Sequence, residues 1–138
     1  MNKTKQKFIL FDLAENKYAL EISDTYRIFE VQSLSPVPGS DQRIAGLSYF
    51  DGHLVTILAT DKILSLKNQN QEINQALLVK NDNHYYAYLV DQVADVVDAF
   101  LQKSKTKLNG LNNFILINKQ KIFVLETDFL LKEIFDNE

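Results

Sequence analysis

The chain repeats much of its own pattern about 68 positions later, and this repeat constrains the fold more than any other feature. Tyr18-Ala19 recurs as Tyr86-Ala87, and segment 55–61 recurs, with one residue removed, as 122–128. Order, polarity and spacing all recur, so we interpret the chain as a duplicated supersecondary unit. The alternative is a chance alignment of two β-rich stretches. Duplication is favoured because the match runs through the strands and the helix that follows them.

The duplication predicts the domain organisation. The repeat halves span approximately 8–66 and 76–131, joined by a polar connector at 67–75, within a single domain covering 1–138. Each half is too short to build a sufficient core alone, so the halves are expected to share one. A seam between two like units is a place where ligands and partners tend to bind.

Alternating apolar and polar residues predict a chain of short strands. The predicted strands are 8–13, 17–22, 26–31, 45–50, 53–58, 76–79, 85–90, 114–117 and 121–125. The fold class that follows is mainly β: two pseudo-symmetric five-stranded antiparallel β-barrels that share a hydrophobic core. Short helices are expected after each barrel hairpin, the second of them at the C-terminus.

Local signals refine this prediction. Asp51-Gly52 favours a two-residue hairpin turn, because such turns require positive φ. Thr60 and Thr127 are predicted to cap the two helices. The valines in segment 93–97 are compatible with a strand or with a single helical turn.

Composition excludes several classes of function. The absence of cysteine removes disulfides, thiolate metal sites and thiol nucleophiles. The net charge of −3 disfavours sequence-independent nucleic-acid binding, which depends on clustered Lys and Arg. The two histidines stand at or beside predicted turns, and the four glycines are too far apart for a phosphate-binding loop. We therefore expect no catalytic residue, no metal and no cofactor.

The remaining signals concern location and charge. No apolar run approaches the roughly 20 residues that span a bilayer, so we expect a cytoplasmic chain without direct membrane insertion. The basic start is followed by an apolar stretch that acidic residues interrupt, unlike a signal peptide. Asp91, Asp95 and Asp98 lack the glycine and final glutamate of a calcium loop, so we interpret them as a solvated acidic edge.

Several segments, taken together and in order, resemble the CheW family of chemotaxis coupling proteins. They are 8–13, 18–22, 36–39 with Gly46, 52–58 and 89–97. The most specific is 89–97, which reads Leu-Val-Asp-Gln-Val-Ala-Asp-Val-Val and is similar to the family's Val-Asp-x-Val-x-Asp-Val segment. The resemblance covers nearly the whole chain, and the family's two five-stranded barrels agree with the duplication.

The resemblance implies a non-catalytic adaptor for chemotaxis signal transduction. Members bind the cytoplasmic tip of chemoreceptors in a groove between the barrels, and the regulatory domain of a CheA-type histidine kinase through a barrel end. The partner-binding residues that we expect here are Arg27, Ile28, Gly46, Asp51, Gly52, Val90, Asp91, Val93 and Val96.

The chain departs from the family at two charged positions. Arg27-Ile28 stands where the family usually has Glu-Ile, and Asp51-Gly52 stands where it has Arg-Gly. We expect a swapped pair in which Arg27 and Asp51 face each other across neighbouring strands. The alternative is two independent surface charges and a partly inactive paralogue. A separation beyond about 6 Å would make the swap a coincidence.

Two other functions stay open. One is a divergent adaptor of another kinase or motility pathway, which a reversed charge pair would suit. The other is a small barrel that binds a ligand or single-stranded nucleic acid, with Tyr85, Tyr86 and Tyr88 as a stacking platform. Strand alternation disfavours that platform, because Tyr85 and Tyr86 point to opposite faces. The sequence also leaves open whether a second copy of the chain covers the seam.

Overall fold

The computed structural model describes residues 4–23, 25–67, 75–104 and 111–135 of the 138-residue chain. The helices within these ranges are α1 (Thr60–Ile63) and α2 (Thr127–Phe135). The strands are β1 (Gln6–Leu13), β2 (Asn16–Glu21), β3 (Thr25–Glu30), β4 (Ile44–Phe50), β5 (His53–Leu58), β6 (Gln75–Asn81), β7 (His84–Val90), β8 (Gln92–Ala99), β9 (Gln102–Lys103), β10 (Asn113–Ile117) and β11 (Gln120–Val124).

Each predicted strand corresponds to an observed one. The ambiguous segment 93–97 lies in strand β8, because β1 offers it an antiparallel hydrogen-bonding partner. Asp51 and Gly52 have φ of 52° and 79°, as a tight hairpin turn between β4 and β5 requires. The predicted connector lies almost wholly outside the described residues, which resume at Gln75 in β6.

The strands form two sheets, and each sheet draws on both halves of the sequence. One has six strands in the order β8-β1-β2-β11-β10-β9, and the other has five in the order β3-β6-β7-β5-β4. The mainly β class is confirmed, but purely antiparallel five-stranded pairing is wrong. The β2–β11 and β5–β7 pairs are parallel. They are parallel because each hairpin lies beside a strand of the other half, reached through a long connection rather than a tight turn.

The pairing registers of the two sheets are equivalent under the sequence repeat. Hairpin residues Phe11 and Tyr18 pair in β1–β2, as Val79 and Tyr86 pair in β6–β7. The other equivalent pairs are Tyr18–Phe123 with Tyr86–Thr56, and Ile9–Val96 with Leu77–Ile28. Since a slip of one residue would turn every side chain to the other face, matching registers keep the two sets of buried residues equivalent.

Buried side chains form three clusters. One lies between the sheets and combines Ile9 and Leu20 with Leu77, Tyr88 and residues of α2. Each of the other two lies on the opposite face of one sheet, against its own strands. The shared cluster explains how two short halves form one stable unit, as the sequence predicted.

The edges of each sheet are brought together by a single stretch of chain. Residues 92–103 contain both β8, which pairs with β1, and β9, which pairs with β10. In the five-stranded sheet, β3 pairs with β6, and Ser35, a few residues later, makes an isolated bridge to Leu47 of β4. Both sheets are therefore strongly curled.

The helices begin differently from the prediction. Ala59 is the N-cap of α1 without a side-chain cap, and the Thr60 hydroxyl lies 3.5 Å from the Leu58 carbonyl oxygen instead. In α2, the Leu130 amide donates to the Glu126 carbonyl, and the Thr127 hydroxyl accepts a hydrogen bond from the Tyr88 hydroxyl at 3.1 Å. The predicted caps are wrong by one residue, because the Ala59 and Glu126 carbonyls accept the first helical hydrogen bonds and each threonine is the first helical residue. Neither helix, in the ranges described, is long and apolar enough to cross a membrane.

Candidate functional site

Two aliphatic side chains stand exposed at equivalent positions on the end strands of the two sheets. Ile28 of β3 is 48% exposed and Val96 of β8 is 53% exposed. Each pairs with a buried residue of the neighbouring strand, Leu77 and Ile9 respectively. Exposed apolar side chains on strands that have a neighbour on one side only are typical of protein-binding surfaces.

Arg27 and Asp51 form the contact expected of a swapped charge pair. Arg27 Nη1 lies 3.7 Å from Asp51 Oδ2, well inside the limit set for the swap, and both side chains are more than half exposed. The Arg27 guanidinium also lies 5.3 Å from the centre of the Phe50 ring. The predicted placement on neighbouring strands is wrong: β3 and β4 are the two end strands of the five-stranded sheet, so the ion pair joins its opposite edges.

Gly46 has a backbone role in β4, the strand that leads to Asp51. A Cβ on Gly46 would lie 2.6 Å from the Ser35 carbonyl oxygen, and its φ of +154° is unfavourable for other residues. The Leu47 amide next to it donates to that same oxygen at 2.8 Å. Gly46 is buried, so it permits the Ser35–Leu47 bridge rather than offering a surface. Gly52 completes the exposed turn that presents Asp51.

The predicted residues of segment 90–96 differ in exposure, from fully buried to more than half exposed. Val90 is fully buried in the shared core, so its predicted place on a partner-binding surface is wrong. It ends β7, whose side chains alternate between the two faces of a sheet that is covered on both sides. Val93 is half-buried, and its amide donates to Gln75 Oε1 at 3.0 Å, which ties β8 to the other sheet.

Asp91 has partners within the chain. Its Oδ2 accepts a hydrogen bond from the Ala14 amide at 2.8 Å, and its own amide donates to the Asp12 carbonyl at 2.9 Å. Ala14 has φ of 51°, a conformation that is unfavourable for alanine. Asp91 therefore stabilises the turn between β1 and β2 and positions the start of β8. The structure brings Arg27, Asp51 and Gly52 together where the two end strands of the five-stranded sheet meet, while Asp91 and Val93 lie where β8 begins.

The tyrosine platform for single-stranded nucleic acid is not formed. Tyr88 is fully buried with its hydroxyl bonded to Thr127, and the Tyr86 ring lies 5.5 Å from the Phe135 ring. Tyr85 instead faces His53, with ring centres 4.5 Å apart. The part of the chain that the structure describes also contains no group of three His, Asp or Glu side chains able to hold a metal ion.

Sequence reasoning missed a second exposed apolar pair. Tyr49 and Leu54 lie directly opposite each other on β4 and β5, and are 74% and 50% exposed. The signal was present, because both residues occupy outward positions of a predicted hairpin where alternation calls for polar side chains. The pair lies on the hairpin whose turn carries Asp51, so it extends the candidate surface away from Arg27.

Comparisons with known proteins agree with the fold. The family model for the CheW-like domain matches residues 7–133. The scaffolding protein TtCheW from Thermoanaerobacter tengcongensis has a similar fold, with a TM-score of 0.84, 17% sequence identity and 92% of each chain covered. No curated protein sequence matches the chain. Because the family model spans nearly the whole sequence, the chain belongs to the CheW-like domain family.

Proposed function

We propose that the chain is a non-catalytic cytoplasmic adaptor that couples chemoreceptor tips to a CheA-type histidine kinase in chemotaxis. The observation that carries this proposal is the pair of exposed aliphatic side chains, Ile28 and Val96, on the end strands of a CheW-like domain. The scaffolding role printed for TtCheW supports it by analogy. We further infer that each curled sheet acts as one barrel, with partners bound on and between the two.

Apolar contact is proposed to supply most of the affinity. Ile28 and Val96 would bury their exposed area against a partner, and a few such residues usually dominate an interface. The half-buried Val93 positions β8 beside Gln75 and so keeps Val96 in place relative to the other sheet. Val90 and Gly46 act through the fold, because neither is exposed.

Arg27 and Asp51 are proposed to set specificity. An exposed ion pair contributes only about 0–1 kcal/mol to folding, so its main effect is on recognition. Reversal of both charges inverts the local field, which disfavours a partner suited to the usual arrangement and favours one with opposite charges. This reversal supports a second candidate within the same class, an adaptor of another kinase or motility pathway.

Binding of purified partners tests the proposal. The chain is mixed with a kinase regulatory domain or a receptor-tip fragment from its own organism, and dissociation constants are measured by calorimetry. We expect binding of at least one partner at tens of micromolar or tighter. Val96→Asp or Ile28→Asp should weaken it about tenfold or more, since a charge then replaces a buried aliphatic contact. Leu116→Asp is the matched control, at a similarly exposed leucine on β10.

The same binding experiment tests the Arg27–Asp51 charge pair. Asp51→Arg should weaken binding, and the double variant with Arg27→Glu should restore the pair while changing partner preference. If neither partner binds the native chain at tens of micromolar, the coupling function is wrong. If both bind and Val96→Asp has no effect, a different surface binds them.

A further inference from the structure

The β4–β5 hairpin carries an exposed apolar pair that the proposed adaptor contacts do not use. Tyr49 and Leu54 lie directly opposite each other on the two strands and are 74% and 50% exposed. They stand on different strands from Ile28 and Val96, which lie on β3 and β8. Exposed apolar residues that adjoin each other, unlike scattered single ones, are typical of a surface that contacts another molecule.

The internal repeat shows how this hairpin differs from its equivalent in the other half. Tyr49 and Leu54 correspond to Leu116 and Lys121, which pair in the same register on β10 and β11. The Lys121 ammonium lies 4.6 Å from the centre of the Phe114 ring, so it stands over the apolar face of its hairpin. A lysine at such a position is one way in which β proteins avoid association. With leucine at position 54, the β4–β5 hairpin lacks this protection.

The charges of the two hairpins also differ. Asp51 is the only Asp, Glu, Lys or Arg of the β4–β5 hairpin, and its carboxylate lies 3.7 Å from Arg27. The β10–β11 hairpin carries Lys119 and Lys121 and no acidic residue, and neither lysine forms an ion pair with another described residue. Two copies of the β4–β5 hairpin therefore meet with their charges compensated, whereas two copies of the β10–β11 hairpin would repel each other.

We propose that the chain forms a twofold-symmetric dimer through the β4–β5 hairpin, with Tyr49 of each copy packed against Leu54 of the other. A second copy fits because the two residues lie directly opposite each other, so that a twofold axis between the hairpins exchanges them and one surface supplies both sides of the contact. Two side chains expose little area beside the roughly 800 Å² per partner of a standard interface, so the dimer is weak.

Sedimentation equilibrium of the native chain measures this association. The weight-average mass should rise with concentration from that of a monomer toward twice that value, with a dissociation constant of roughly 0.1 to 1 mM. Leu54→Lys should weaken the association about tenfold or more, because a charge would then be buried against Tyr49 of the other copy. Leu116→Lys is the matched control, since it makes the same change at an exposed leucine of the other hairpin.

A mixture of two variants tests the twofold exchange. In Tyr49→Lys alone and in Leu54→Asp alone, both contacts of the dimer are damaged. A mixed dimer keeps one native contact and places the new ammonium opposite the new carboxylate. The mixture should therefore associate several-fold more tightly than either variant by itself.

Three results would each overturn the proposal: a native chain that remains monomeric at about 2 mM, equal weakening by Leu54→Lys and Leu116→Lys, or no gain in the mixture. Thermal unfolding of each variant shows whether the fold is intact, and Tyr49→Lys replaces Leu54→Lys if that variant is unstable. If the native chain stays monomeric and Leu54→Lys weakens binding of the kinase regulatory domain, the hairpin contacts that partner and the dimer is wrong.

Discussion

The two sheets have equivalent pairing in their interiors but are joined differently at their edges. In the five-stranded sheet the edges meet through side chains: Arg27 with Asp51 at 3.7 Å, and the rings of Phe29 and Phe50 at 4.4 Å. One isolated backbone bridge, from Ser35 to Leu47, accompanies them. In the six-stranded sheet the edge is a short strand, β9, that pairs with β10 through two residue pairs.

This difference shows where a duplicated fold is free to diverge. Asp95 and Lys119 stand at the positions equivalent to Arg27 and Gly52, and no ion pair joins them among the described residues. Interior strands are constrained because a change of register moves every side chain to the wrong face. End strands have a neighbour on one side only, so their side chains can change charge and acquire partners without disturbing the core.

The shared core is expected to make the two halves unfold together. Ile9→Ala and Leu77→Ala remove equivalent buried side chains from the cluster between the sheets. Each should lower the free energy of unfolding by about 2–5 kcal/mol, because a cavity is left on either side of one core. Urea unfolding followed by circular dichroism should show a single transition for both variants. Two separate transitions would mean that the halves are independent, and Leu116→Ala is the exposed control.

The Ser35–Leu47 backbone bridge of the five-stranded sheet should be sensitive to a methyl group added at Gly46. Gly46→Ala places a Cβ only 2.6 Å from the Ser35 carbonyl oxygen, and we expect a loss of about 1–3 kcal/mol in unfolding free energy. Asn113 occupies the equivalent position in the six-stranded sheet and already carries a Cβ. Asn113→Ala should therefore cost less, as measured by chemical denaturation. Equal costs at both positions would remove the steric argument.

Lowering the pH should remove the stabilisation that comes from the Asp41–Arg43 ion pair, which lies just before β4. Hydrogen bonds from the Arg43 side chain and amide lower the pKa of Asp41 to about 2. Because the folded pKa lies below the unfolded value, this stabilisation is present above about pH 4 and is lost as pH falls through 2. Asp41→Asn should cost about 1–2 kcal/mol at pH 7 and little at pH 2. Thermal unfolding across this range measures the difference, and a cost independent of pH would contradict it.

The exposed Arg27–Asp51 ion pair should have the smallest effect on stability. Arg27→Ala, Asp51→Ala and the double variant form a cycle whose coupling energy should be about 0–1 kcal/mol and should fall with added salt. The exchange Arg27→Asp with Asp51→Arg should retain the coupling while reversing its polarity. A coupling of several kcal/mol would mean that the pair holds the sheet edges together, rather than acting mainly in recognition.

Much of the local structure could be predicted, for a physical reason. Alternation of apolar and polar residues identifies strands such as β2, and Asp51-Gly52 identifies a hairpin, because both depend on neighbouring residues. The contact between Arg27 and Asp51 was predicted from their two reversed charges, but the strands that carry them are the two ends of the sheet rather than neighbours. The predicted caps were wrong by one residue, because the first helical hydrogen bonds are accepted by the Ala59 and Glu126 carbonyls.

The candidate site was less predictable than the strands. Val90 and Val96 look alike in sequence, yet one is fully buried and the other is more than half exposed. The difference arises because β7 lies inside a sheet covered on both faces, whereas β8 lies at an edge. Tyr49 and Leu54 were missed because an apolar residue at an outward strand position is also what a strand buried on both faces would show.

The amino-acid sequence by itself determined the repeat, the strands and the tight turn at Asp51-Gly52. These depend on the pleat of a strand and on the φ that a turn requires, and both act over a few residues. Only the tertiary structure decided that each sheet combines strands of both halves, with the parallel pairs β2–β11 and β5–β7. A strand's pattern specifies how its side chains alternate but not which strand lies beside it, because that choice depends on contacts between distant parts of the chain.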